Sequence, residues 1–165
     1  MNLVRQLLFG GGVSAINIAI HAFAMTAVIQ VARKISRRCP ADTSANLVML
    51  MMVTVLVITL AHCCEVAVWS VGYWLAGVVP NSGSASNLYF AFVNYTTLGY
   101  GDIVPVERWQ LLGPMAAMNG VLLFGWSTAV IFEVLRRSVA RTGNDAAGLP
   151  TYDAVPPREN PMSGE

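Results

Sequence analysis

Along the chain, three long apolar runs alternate with short polar or basic breaks. The first covers Leu7 to Ala32, 26 residues without a charge. A bilayer core takes about 20 helical residues, so this run predicts a spanning helix with some tilt. It ends in a basic cluster, Arg33, Lys34, Arg37 and Arg38, and then in Cys39-Pro40-Ala41-Asp42-Thr43-Ser44. Asp42, Thr43 or Ser44 is placed to cap the next helix. The second run extends from Ala45 to about Val79 and exceeds the hydrocarbon thickness, so it tilts or projects. Trp69, Tyr73 and Trp74 near its far end predict an aromatic belt at the outer interface. The polar stretch from Pro80 to Asn87 breaks the helix, with Ser84, Ser86 or Asn87 as the next cap. Leu88 to Thr97 is aromatic, helix-compatible and too short to span. Such a segment must re-enter, which is tolerated only where it is buried in protein or lines water. The third long run, Leu111 to Leu135, spans again and meets Arg136, Arg137 and Arg141.

These runs predict an all-α membrane protein with three transmembrane helices and a short re-entrant helix per chain. Three regions follow: 1–44, the first helix and its basic loop; 45–141, the two later spanning helices with the re-entrant segment between them; and 142–165, a tail. The tail has four prolines and no apolar period, so it is expected to be disordered. Basic short loops stay cytoplasmic. Both basic clusters fall on one side, which puts the N-terminus outside and the C-terminus in the cytoplasm of a multi-pass protein of the cell (inner) membrane. The rival for the first run is a cleaved signal peptide, with Ala22-Phe23-Ala24 as the cleavage site. The run continues past that site into a dense basic cluster, which favours a retained helix.

Composition agrees with this picture: mean hydropathy +0.57, 55% hydrophobic and only 12% charged residues. A net charge of +1 gives no footprint for nucleic acid. Cys39, Cys63 and Cys64 form neither a disulfide framework nor a zinc spacing. Gly10-Gly11-Gly12 lacks the strand–loop–helix context of a phosphate cradle. No catalytic motif, small-molecule site or cofactor signature is present, so no enzyme is expected.

Between the second and third runs lies Thr96-Thr97-Leu98-Gly99-Tyr100-Gly101-Asp102. Gly99 and Gly101 flank Tyr100, and glycine adopts left-handed dihedrals at little cost. Left-handed residues at alternate positions let an extended backbone turn successive carbonyls toward one axis. One strand offers oxygens on one side only, so a single chain cannot surround an ion.

The stretch resembles the signature of potassium channels, Thr-x-Gly-Tyr-Gly followed by Asp, whose carbonyls replace the hydration shell of K⁺. The resemblance covers about Val66 to Leu135 and is most specific from Tyr89 to Pro105. It resembles the pore region of bacterial two-helix channels with one extra N-terminal helix. It implies a homotetramer in the lipid bilayer with K⁺ as the permeant ion. Thr97, Leu98, Gly99, Tyr100 and Gly101 then hold the ion, and Asp102 sits at the outer mouth. The aromatics Tyr89, Phe90, Phe92 and Tyr95 form a collar behind the filter. This sequence departs from the pattern in three ways. Leu98 replaces the commoner Val. Val93 stands where some bacterial channels carry a Glu that pairs with the filter Asp. Gly120 and Gly125 both lie where an inner-helix hinge is expected, although a membrane-helix glycine is as readily a close-packing site.

Other readings are a weakly selective cation channel, an accessory subunit of another channel, and a membrane metal or haem protein using His21, His62, Glu65, Cys63 and Cys64. The intact Gly-Tyr-Gly argues against relaxed selectivity, and no spacing demands a metal. His62 and Glu65 share a helix face, and intramembrane ionisable groups default to a functional hypothesis. Counted from the inner helix ends, His62 lies about 22 Å up and His21 about 16 Å up. These depths let His21 meet His62 and Glu65 if the two helices are neighbours, either as a structural clamp or as a proton-sensitive link.

Overall fold

The computed structural model describes residues 2–38, 44–80 and 83–146. Its elements are α1 (Asn2–Arg38), α2 (Ser44–Ala76), α3 (Ser84–Tyr95), a 3-10 turn (Glu107–Trp109) and α4 (Leu112–Ala146), with no strand among the described residues. α1, α2 and α4 are each long and apolar enough to cross a membrane; α3 is not.

α1 and α4 overrun their apolar runs at the basic ends. α1 continues through its basic end, where cations complement the partial negative charge of a helix C-terminus. α4 continues past Leu135. There Glu133 pairs with Arg136 (2.9 Å) and with Arg137 at the i+3 and i+4 positions that face one another on a helix. Residues 142–146, expected to begin a disordered tail, are therefore helical. The rest of that tail, 147–165, and the proposed caps Asp42 and Thr43 lie outside the described residues.

α2 stops at Gly77, whose φ of +60° suits only a residue without a side-chain clash. The amides of Gly77 and Val78 donate back to Trp74 and Tyr73 at 3.2 and 3.0 Å, the paired bonds of a Schellman end. α3 starts at Gly83 without a side-chain cap. Ser84 and Ser86 lie inside the helix, and Asn87 instead donates its side-chain amide to the Gly83 carbonyl at 3.2 Å.

α3 wedges between α2 and α4, and α1 lies against both of those helices. One apolar core gathers around the short helix: Val66, Trp69, Tyr73, Phe90, Ala91, Tyr95, Trp109 and Leu112. A second lies at the other end: Met25, Val28, Leu50, Ile58, Val130 and Val134. Polar residues separate them, since Asn17, His21, Glu65, Asn119 and Ser127 are buried. In a bilayer, apolar burial between helices gains little over lipid contact, so close packing and interhelical hydrogen bonds carry the assembly.

The first turns of α1 reach the segment that follows residues 96–102. The Leu111 amide donates to the Gln6 side chain at 2.9 Å, Arg5 lies 5.1 Å over the Trp109 ring, and Phe9 packs 5.4 Å from it. Trp109 is thus buried. The expected belt is corrected. Trp69 and Tyr73 are fully buried and donate to Asn119 and to the Leu112 carbonyl, and only Trp74 is exposed.

Candidate functional site

Where α3 ends, the chain does not turn freely. The amides of Thr96, Thr97, Leu98 and Gly99 point back and donate to Phe92 (3.0 Å), Asn94 (2.9 Å), Val93 (2.9 Å) and Val93 again (3.2 Å). The Thr96 hydroxyl is also spent on the helix, donating to the Phe92 carbonyl at 2.7 Å. The positive φ values alternate: Thr97 at 61°, Gly99 at 57° and Gly101 at 76°. Among the described residues, no hydrogen bond ends on the carbonyl oxygens of Thr97 to Gly101. The stretch therefore has its first four amides tied down and a row of acceptors unengaged.

Thr97 departs from the sequence reasoning, which gave left-handed dihedrals only to the glycines. A β-branched residue there is strained, by about 1–3 kcal/mol, and the anchored amides on either side impose it. Leu98 and Tyr100 leave their side chains 54% and 67% exposed in the single chain.

Asp102, for which no partner was evident, accepts a 2.7 Å hydrogen bond from the Tyr89 hydroxyl. Tyr89 lies one turn before Val93, the position where a pairing Glu was looked for. The bond to Asp102 raises the Tyr89 phenol above its ordinary value.

The two hinge candidates differ. A Cβ at Gly120 would stand 2.1 Å from the Tyr95 carbonyl oxygen, so Gly120 lets α4 press against the end of α3. At Gly125 nothing lies within 4 Å. Gly113 is a further close approach, with the Asn94 side-chain oxygen 2.8 Å from an added Cβ.

Beside the end of α3, the structure brings His21, His62 and Glu65 together. His21 Nδ1 lies 2.8 Å from Glu65 Oε1, and His62 Nδ1 lies 2.9 Å from Oε2. The Tyr95 hydroxyl donates to the same Oε2. Ser127 Oγ bridges the outer ring nitrogens, 3.0 Å from His62 Nε2 and 3.4 Å from His21 Nε2. One layer away, Asn17 donates to the Glu65 carbonyl at 3.2 Å and to Asn119 Oδ1 at 3.1 Å, where Trp69 also donates. Sequence reasoning missed Tyr95 and Ser127 as partners, and Asn17 and Asn119 altogether. The available signal was polar side chains inside spanning runs, with Asn17 and His21 at i, i+4 on one face.

The three titratable groups have ligand atoms within 4.8 Å of one another. Two ligands sharing a tetrahedral metal with bonds of about 2.1 Å stand about 3.4 Å apart. The 2.8 and 2.9 Å separations are instead those of direct N–H···O bonds. Cys63 and Cys64 are exposed and stand apart from the cluster.

Three spanning helices, a short helix buried between them and a backbone loop with unengaged carbonyls define a membrane protein built for ion passage. The family model described as ion channel matches residues 49–137, just over half of the 165 residues. The chain belongs to the ion channel family. No curated protein and no solved structure matches it.

Proposed function

We propose that this chain is the subunit of a homotetrameric K⁺-selective channel of the cell membrane that conducts passively down the ion gradient. One observation carries the reading: the left-handed dihedrals at Thr97, Gly99 and Gly101, with the preceding amides anchored in α3 and the carbonyls from 97 to 101 unengaged. Rings of such carbonyls replace the water shell of K⁺. Thr97 adds its hydroxyl at the inner end, because Thr96 has spent its own. Asp102, held by Tyr89, marks the outer mouth. The C-terminal end of α3 faces the ion path, and its partial negative charge favours a cation there. α4 lines the inner path. Gly125 rather than Gly120 is the free point for a hinge, since Gly120 is committed to Tyr95. The basic ends of α1 and α4 set the cytoplasmic side, with the N-terminus outside.

The experiment is K⁺ flux through Gly101→Ala. A side chain at φ +76° is strained whatever the space around it. The variant is expected to reach the membrane and assemble but to lose K⁺ current. Undiminished K⁺-over-Na⁺ flux would refute the filter assignment.

A further inference from the structure

α1 lies outside the 49–137 region matched by the family, and its buried residues form one seam. Gln6, Gly10, Val13, Asn17, His21 and Met25 recur every three or four residues, the period of a single helix face. At the N-terminal end of that seam, Gln6 meets the chain that leaves the filter. Its side-chain oxygen accepts the Leu111 amide at 2.9 Å, and the residue is only 7% exposed.

The bond answers a need that the start of α4 creates. Leu111 immediately precedes α4 and its carbonyl accepts the Met115 amide at 3.0 Å, so it is the cap residue of that helix. In a capping box, a Glu or Gln three residues further on reaches back to accept the amide of the cap residue. Here that position is Pro114, which has no side-chain acceptor. Among the described residues, the Leu111 amide has no acceptor but Gln6. Gly10 admits the approach that brings Gln6 there. A Cβ on it would stand 2.6 Å from Met115 Sδ and 3.0 Å from Leu112 Cδ2.

The leg from the filter to α4 is held at its start, middle and end, each time from a different helix. Tyr89 of α3 holds Asp102 at 2.7 Å. The Val78 carbonyl, just beyond α2, accepts the Val106 amide at 2.9 Å. Gln6 of α1 holds Leu111. We propose that Gln6 is a positioning residue for the filter: from the additional helix it caps α4 at Leu111 and so fixes the far end of the leg that leaves Asp102. A part-buried donor without a partner is costly. Without Gln6, arrangements in which the Leu111 amide finds another acceptor therefore gain over the conducting one.

The inference rests on the filter reading for its functional half only, and its structural half is measured without ion flux. The Gln–Leu pair occurs at 6–7 and 110–111. Labelling glutamine carbonyls with ¹³C and leucine amides with ¹⁵N therefore singles out the Leu7 and Leu111 amides, and any replacement of Gln6 leaves Leu111 alone. In NMR of the full chain in bilayers, the Leu111 amide is expected to exchange slowly with solvent in the wild type and in Gln6→Glu, which keeps an acceptor. In Gln6→Leu, which removes the acceptor, exchange is expected to quicken about fivefold or more, the scale set by an orphaned donor. Fast exchange in the wild type, or no change in Gln6→Leu, would overturn the tether. In the flux arm, Gln6→Leu is expected to lower K⁺ current per assembled channel by a similar factor and Gln6→Glu to retain most of it. Met25→Ala, in the core at the other end of α1, is expected to lower the unfolding temperature and leave the current per channel unchanged. Wild-type current in Gln6→Leu, no retention in Gln6→Glu, or an equal loss in Met25→Ala would overturn the positioning role. Failure of the wild-type chain to conduct K⁺ would strike the filter reading instead, and the exchange rates would still decide the tether.

Discussion

Gly120→Ala tests the contact between the inner helix and the end of the pore helix. The added Cβ would stand 2.1 Å from the Tyr95 carbonyl oxygen and 3.0 Å from its carbon, where ordinary contact begins at 3.4 Å. The obstacle is backbone, not the far end of a flexible side chain, so α4 and α3 must part by about 1.3 Å at that point, which fits the local shifts that overpacking forces. Overpacking of this kind costs about 1–3 kcal/mol, and the helix preference of Ala over Gly returns about 1 kcal/mol. The net loss, up to about 2 kcal/mol, falls on the residue that precedes Thr96 and Thr97. Gly125→Ala is the control: nothing lies within 4 Å, so it is expected to gain about 0.5–1 kcal/mol in helix stability. Thermal unfolding in detergent and the K⁺/Na⁺ permeability ratio in bilayers read the two effects. Gly120→Ala is expected to lower both stability and selectivity, and Gly125→Ala to raise stability while lowering open probability. A Gly120→Ala protein with wild-type stability and selectivity would show that the close approach is not present.

Tyr89→Phe removes the hydroxyl that holds Asp102 and is expected to speed the decline of current under sustained flux with little change in stability. Because the folded protein raises the Tyr89 phenol, the bond is complete below the ordinary phenol value of about 10 and is lost as pH rises through the raised value. Wild type and variant should therefore differ at neutral pH and converge only in strong alkali; a difference that vanishes near neutrality would contradict the assignment. Asn119→Ala leaves Asn17 and Trp69 without their shared acceptor and is expected to cost about 1–3 kcal/mol, read as a lower unfolding temperature. An unchanged midpoint would mean that this layer carries no stability.

The spanning helices were legible because length and hydropathy decide them. Their ends were not: α1 and α4 run on into basic residues, where no Gly or Pro intervenes before Pro40 and where Glu133 supports Arg136 and Arg137. Trp69 and Tyr73 were misplaced because an aromatic belt is read from residue type, whereas helix face decides exposure. The left-handed Gly99 and Gly101 followed from glycine chemistry. Thr97 did not, since its conformation is imposed by amides bonded to Asn94 and Val93 rather than chosen by its side chain. Counting rise per residue put His21 within reach of His62 and Glu65 in depth. Tyr95 and Ser127 were invisible in that count, because their contacts depend on how the re-entrant helix and α4 are turned. Tyr89 and Asp102 likewise meet only once the loop has folded back.

The central claim is selectivity for K⁺ by this chain alone. Purified protein in liposomes, with K⁺ on one side and Na⁺ on the other, gives the reversal potential directly. The filter geometry predicts a potential close to that of a pure K⁺ conductance. A potential near zero, or no current without a second protein, would contradict it.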